Sequence, residues 1–189
     1  AGLRFRASDN LSNQPIAKAV KARAESDLKV LDATAGLGTD AFLLATLGCR
    51  VTMLERNAIV FVLLSNGLQR GRDSKEVMVA QAVNRMQLYC AEFGEDFVPA
   101  DNYDVVYLDP MFPPSRKSAR VKKGMYVLQQ YLAGEECTHS EVSILETARQ
   151  IARSRVVVKR SKRAPYYGEQ APSHSLIGRT SRYDVYLTL

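Results

Sequence analysis

The sequence predicts an α/β fold: a doubly wound, mostly parallel sheet with an antiparallel edge strand. Three observations carry this. Short β-rich runs alternate with longer stretches whose apolar residues recur every three or four positions. A glycine turn, Ala35-Gly36-Leu37-Gly38, follows directly on the first of these runs, as a strand-to-helix connection does in this architecture. The runs are rich in Val, Leu and Tyr with few charges inside them, which suits strands covered by helices on both faces.

Residues 12–24 read as one helix leading into a first strand at 29–32. Further strands are expected at 50–54, 86–90, 103–108 and 155–159, with a last strand at 183–187 joining the sheet edge. Helices are expected between them at 40–47, 59–69, 76–85 and 141–152, where the apolar spacing suits packing on a sheet. Two stretches break this order. Residues 113–134 carry a basic first half, and residues 161–182 are rich in Pro, Gly, Ser and basic side chains; both read as loops or covers. With no internal repeat and no low-complexity tract, residues 1–189 read as a single domain.

The chain has 189 residues, 46% hydrophobic and 24% charged, enough to bury one core. No apolar run reaches membrane-spanning length and the first residues hold no apolar signal core, so a cytoplasmic protein without a membrane partner is expected. Cys49, Cys90 and Cys137 are odd in number and widely spaced, which argues against a disulfide framework or a zinc site. No metal is expected. The net charge of +6 favours a polyanionic partner, nucleic acid first.

The turn from Asp32 to Ala41 has small residues where backbone must approach a ligand. Gly36-x-Gly38-x-x-Ala41 also satisfies the loose dinucleotide fingerprint, with Glu55 placed for a ribose. Charge separates the two readings. Asp32 and Asp40 flank the turn and would oppose a pyrophosphate, whereas the ammonium and sulfonium of S-adenosylmethionine (SAM) gain from carboxylates. The carboxylate of the same cofactor takes backbone N–H groups of the turn. Thr39 as an N-cap and Asp40 as a first-turn helix acid are the structural alternatives. Arg56 packs on the adenosine or pairs with Glu55. At the end of the third strand Glu92 is placed to accept from the adenine amine and Phe93 to cover its ring.

The fourth strand delivers Asp109-Pro110-Met111-Phe112-Pro113-Pro114 to the same edge. The lone pair of an exocyclic base amine is delocalised into its ring, so the amine needs hydrogen-bond acceptors that favour a pyramidal nitrogen. Asp109 and the Pro110 carbonyl supply them, and acceptors already in place stabilise the positive charge that develops on nitrogen. Phe112 stacks on the base, while the prolines make the platform rigid and remove competing donors. A proline-stopped strand with a partly buried Phe112 is the structural alternative. The segment is spelled like the (Asp/Asn)-Pro-Pro-aromatic motif of amino-methyltransferases, with Met111 at the second proline.

Asp32-Ala33-Thr34-Ala35-Gly36-Leu37-Gly38, Met53-Leu54-Glu55-Arg56-Asn57, Val106 to Pro113 and Val156-Val157-Val158-Lys159-Arg160 together resemble the bacterial 16S ribosomal RNA guanine-N2 methyltransferase family, RsmJ-like SAM-dependent enzymes of Rossmann-like fold. The resemblance runs from about Gln14 to Leu189. It implies methyl transfer to a guanine N2 amine, 16S ribosomal RNA or the small ribosomal subunit as partner, and cofactor contacts by Thr39, Asp40, Glu55, Arg56, Glu92, Phe93 and Asp109. The resemblance also implies a further small N-terminal region and a glycine-rich basic stretch before the first helix; this chain has Arg6 to Leu11 there, and further residues are expected at that point. Thr39 stands where the family often has a basic residue, and Glu92-Phe93 replaces small hydroxyl residues.

Arg116, Lys117, Arg120, Lys122 and Lys123 follow the Asp109 segment, and Lys159, Arg160, Lys162 and Arg163 follow the fifth strand. Both clusters are expected to face RNA as sequence-independent phosphate contacts. His139 and His174 have no partner at a recognisable spacing and are expected to be non-catalytic. Adenine-N6 methylation, a nicotinamide-dependent oxidoreductase and a non-catalytic RNA-binding module are the competing functions.

Overall fold

The computed structural model describes residues 11–23, 26–94, 102–110 and 139–188. A 3-10 turn at Leu11–Asn13 leads into α1 (Pro15–Val20). Then come β1 (Lys29–Asp32), α2 (Thr39–Thr46), β2 (Arg50–Glu55), α3 (Ala58–Arg72), α4 (Val77–Asn84) and β3 (Met86–Cys90). β4 (Tyr103–Leu108), α5 (Glu141–Ile151), β5 (Ala152–Ser161), a 3-10 turn at Tyr167–Glu169, β6 (His174–Ile177) and β7 (Ser181–Leu187) complete the order.

The strands form one seven-stranded sheet in the order β3-β2-β1-β4-β5-β7-β6. Every pairing from β3 across to β5 is parallel, and β5–β7 and β6–β7 are antiparallel. The chain winds outward from β1 to β3, then returns to the other side of β1 as β4. The carboxyl ends of β1 and β4 therefore flank the switch point where ligands sit in open α/β sheets.

The strand period of two splits the core between the faces. Val30, Val105, Tyr107 and Val157 join the helical residues Ile16, Val20, Leu44, Leu64 and Val83 on one side. Leu31, Val106, Leu108, Val156 and Val158 pack against Ile144, Leu145 and Ala148 of α5 on the other. Apolar residues thus run unbroken from Val105 to Leu108 in β4 and from Val156 to Val158 in β5.

Several elements depart from expectation. The helix foreseen at 12–24 begins only at Pro15, whose missing N–H suits a first turn. It ends at Lys21, which adopts a left-handed φ of 59° and turns its N–H back onto the Ala17 and Lys18 carbonyls. α3 starts where the Asn57 side chain accepts the Ile59 and Val60 N–H groups, and it continues past the expected stop to Arg72. β6 lies inside the stretch read as loop. Four residues with a half-exposed pattern carry little strand signal; pairing with β7, Leu176 against Tyr183, makes the strand. β7 is consequently not the edge: residues Tyr183 to Tyr186 are all buried, and the sheet ends on an antiparallel hairpin. Among the described residues no helix is long and apolar enough to cross a membrane.

Candidate active site

The parallel strands bring Asp32 (β1), Glu55 (β2), Glu92 and Phe93 (after β3), Asp109 (after β4) and Lys159 (β5) to one cleft of about 450 Å³, within the range of cofactor pockets. Leu54, Val60, Ala91, Phe93, Pro110, Ile144 and Tyr167 give the cleft an apolar wall.

The turn after β1 needs glycine at two positions. Gly36 and Gly38 have φ of +54° and +71°, in the left-handed region. A Cβ on Gly38 would stand 2.8 Å from Leu64 Cδ1, whereas one on Gly36 would meet nothing within 4 Å. Gly38 thus keeps α2 close to α3, and Gly36 presents bare backbone to open space along the cleft. Both alanine variants add left-handed strain of ~1–2 kcal/mol. Gly38→Ala is expected to act mainly on thermal unfolding, and Gly36→Ala to lower S-adenosylhomocysteine affinity with the smaller change in stability. Calorimetric titration beside a melting curve separates the two; equal binding losses would dissociate the Gly36 position from the ligand.

Glu55 clasps this turn. Its Oε2 accepts the Gly36 N–H at 2.9 Å and its Oε1 the Asn57 N–H at 2.8 Å, so the carboxylate is fixed in orientation at the cleft. Arg56 pairs with Glu92, 3.0 Å apart, across the ends of β2 and β3. Glu92 is neither of the partners expected for Arg56, which were the adenosine and Glu55. Phe93 is buried and lines the same wall. The N-cap of α2 is Gly38, with no side-chain capping bond; Thr39, read as an alternative cap, is the first helical residue and lines the cleft.

A charged cluster fills the floor. Asp32 is 2% exposed and accepts the Thr34 N–H at 3.2 Å. Burial pushes its carboxyl up to about 8; the Thr34 N–H opposes this, and the charges of Asp40 and Asp109 add to it. Asp40 Oδ2 accepts both the Tyr107 hydroxyl at 2.6 Å and the Lys159 ammonium at 2.8 Å. The same ammonium donates to Asp109 Oδ2 at 2.8 Å. The Asp109 N–H donates to Thr34 Oγ1 at 2.6 Å, tying the end of β4 to the turn after β1. Burial raises the Asp109 carboxyl, with Lys159 opposing the shift. Burial draws the Lys159 ammonium down, but Asp109 and Asp40 outweigh it and hold its pKa above the ordinary value.

Two of the residues assigned to RNA contact are placed otherwise. Lys159 points into the cleft between two carboxylates. Arg160 is 3% exposed; its guanidinium donates to Glu141 at 3.0 Å and to the Pro165 carbonyl at 3.2 Å, and it lies 5.3 Å from the centre of the Tyr167 ring. Phosphate contact needs a solvent-facing cation, and β5, paired on both edges, turns these neighbours to opposite faces, each covered by other elements. Lys162 and Arg163, just beyond the strand, are exposed. Phe112, Met111, Arg116, Lys117, Arg120, Lys122 and Lys123 lie outside the described residues. Tyr107 went unnoticed as a site residue; the available signal was a hydroxyl inside a buried strand, which needs a partner.

The cleft fits S-adenosylmethionine. Asp32, Asp40, Glu55 and Asp109 line it, a donor set suited to a cationic ligand with a ribose and adverse to a pyrophosphate. Gly36 leaves room beside them, and the apolar wall at Leu54 and Phe93 suits an adenine. When bound, the cofactor supplies an electrophilic methyl group on a sulfonium.

A family model described as "Putative SAM-dependent methyltransferase" matches residues 2–188. The chain is 45% identical over 179 residues to the ribosomal RNA small subunit methyltransferase J of Cellvibrio japonicus, an alignment covering 92% of this chain and 66% of that protein. To the protein of the same name from Pseudoalteromonas atlantica it is 44% identical over 184 residues, covering 92% and 68%. The chain thus spans about two thirds of the length of these relatives. A crystal structure of a SAM-dependent methyltransferase from Neisseria gonorrhoeae superposes with a TM-score of 0.72 at 36% identity, covering 93% of this chain and 71% of that one. The nicotinamide-dependent alternative is thereby set aside, and the chain belongs to the ribosomal RNA small subunit methyltransferase J family of SAM-dependent methyltransferases.

Proposed function

We propose that this chain transfers a methyl group from S-adenosylmethionine to the N2 amine of a guanine in 16S ribosomal RNA, acting in the cytoplasm as one methyltransferase domain. The observation that carries the reading is the position of Asp109: it leaves β4 at the switch point, is tied to the cofactor turn through Thr34, and keeps a partly exposed carboxylate in the cleft. The small-subunit RNA follows from the names of the relatives, and the guanine N2 amine from the resemblance of the Asp109 segment.

In this reading Asp32, Gly36, Gly38, Thr39, Asp40, Glu55, Arg56, Glu92 and Phe93 hold the cofactor. Glu55 takes the ribose, and the wall at Phe93 takes the adenine. Asp109 and the Pro110 carbonyl accept hydrogen bonds from the amine and stabilise the charge that develops on its nitrogen. Phe112 stacks on the base. Arg116, Lys117, Arg120, Lys122 and Lys123, with the exposed Lys162 and Arg163, contact phosphates.

Incubation with methyl-labelled cofactor and small subunits lacking the mark, followed by nucleoside analysis, tests this directly. Label in N2-methylguanosine is the expected result. Label in N6-methyladenosine would transfer the assignment to adenine, and RNA binding without label would reduce the chain to a binding module.

A pH dependence follows from Asp32. The free protein holds a proton there up to about 8, and a cationic ligand beside the carboxyl favours its ionised form, so binding releases the proton. S-adenosylhomocysteine, which keeps the ammonium, is therefore expected to bind more tightly as pH rises from 6 toward 8, by at most about tenfold per unit. Calorimetry in buffers of different ionisation heat measures the released proton. Asp32→Asn flattens the profile, and a persistent slope in that variant would assign the proton elsewhere.

A further inference from the structure

We propose that Lys159 is a positioning residue for amine methylation: its ammonium, seated between Asp40 and Asp109, holds the Asp109 carboxylate ionised and in one orientation as an acceptor. The inference rests on the reading of Asp109 as the acceptor for the target amine.

The geometry is a clamp. Lys159 Nζ lies 2.8 Å from Asp40 Oδ2 and 2.8 Å from Asp109 Oδ2, and Tyr107 Oη steadies Asp40 from behind at 2.6 Å. Lys159 engages Asp109 through Oδ2 alone, and the Asp109 side chain is 38% exposed, so Oδ1 stays available to an incoming amine. Among the described residues, the groups facing Asp109 are Asp32 at the end of β1, Asp40 from α2, Tyr107 from β4, Lys159 from β5 and Tyr183 from β7. Lys159 is the only cation in this set among the described residues.

The charge balance explains why the clamp is required. The Asp40 carboxylate shares this half-buried floor, while Asp32 keeps its proton up to about 8, and low local dielectric makes the repulsion between Asp40 and Asp109 felt. Without Lys159, the burial and the Asp40 charge that raise the Asp109 carboxyl go unopposed, and the protonated form is favoured. A protonated carboxyl presents a hydroxyl donor where an acceptor is needed. An asparagine at this position would offer a carbonyl acceptor with no counter-ion, so the Asp spelling of the motif creates a dependence on Lys159 that the Asn spelling would not.

The test is the single-turnover methyl-transfer rate at saturating cofactor, where the Asp32 effect on binding drops out, on unmarked small subunits from pH 6 to 9, for the full chain and for K159M, K159Q, K159R, D109N and D109N/K159M. K159M is expected to lose on the order of tenfold or more at pH 7, a shift of at least one pH unit in the acid limb, with the rate recovering as pH rises. K159R restores the parent profile. D109N shows no such limb, and adding K159M to it changes the rate little. S-adenosylhomocysteine binds K159M at least as well as the parent, because a competing cation has gone. K159Q keeps a donor between the carboxylates without the charge and gives the same shift if K159M does not fold. A K159M or K159Q loss that is equal at every pH, or single losses that multiply in D109N/K159M, overturns the proposal. Failure of the underlying reading is separate: the parent's product nucleoside would then not be an N-methylated base.

Discussion

Asp109→Ala is expected to lower methyl transfer by about 10²–10³-fold, the loss typical when one preorganised group that stabilises developing charge is removed. The fold does not depend on this carboxylate. The backbone at Asp109 is held by its own N–H on Thr34 and by the parallel pairing of β4 with β1 and β5. Lys159 retains Asp40 as a partner in the variant, so no cation is stranded. The amine would meet the Pro110 carbonyl alone. Single-turnover assays on unmarked small subunits, with S-adenosylhomocysteine affinity and melting temperature as controls, check this. A rate within a factor of a few of the parent, at full ligand affinity, would remove Asp109 from the chemistry.

Asp184→Ala is expected to have the largest effect on stability. Asp184 is fully buried. It accepts from Ser175 Oγ at 2.6 Å and from Arg182 Nε at 2.7 Å and Nη2 at 2.8 Å. Arg182, whose side chain is 12% exposed, also donates to the Lys162 and Ala164 carbonyls and lies 4.9 Å from the centre of the Tyr166 ring. Removing the carboxylate leaves a largely buried guanidinium without its counter-ion, a change of ~3–5 kcal/mol in comparable pairs. The midpoint of denaturant unfolding should fall with little change in its slope. The double variant D184A/R182M should recover part of the loss. A change below ~1 kcal/mol would mean that solvent screens the pair. Because Arg182 pins the segment between β5 and β6, which carries Tyr167 into the cleft wall, D184A should also weaken methylation.

The sheet core was legible because its signal is local. Aliphatic runs at 29–32, 50–55, 86–90 and 103–108 each specify a strand by composition. Gly36 and Gly38 mark a turn that few other residues could make. Asp109 was legible for a related reason, since a strand end, an acidic residue and a proline are adjacent in the chain. β6 carried no such signal, because half its residues are polar and its hydrogen bonds come from β7.

What the sequence by itself determined is the α/β class, the strand-turn-helix at Gly36 and Gly38, and the emergence of Asp32, Glu55 and Asp109 at one sheet edge. These depend on residues close in the chain and on a strand period of two. Only the tertiary structure decided what Lys159 and Arg160 do. Both look like phosphate contacts when read along the chain, but Lys159 meets Asp40 119 residues away and Asp109 50 residues away, while Arg160 meets Glu141 across the opposite face. A cation's role follows from whether carboxylates or water surround it, and that is set by the helices packed on each face of β5.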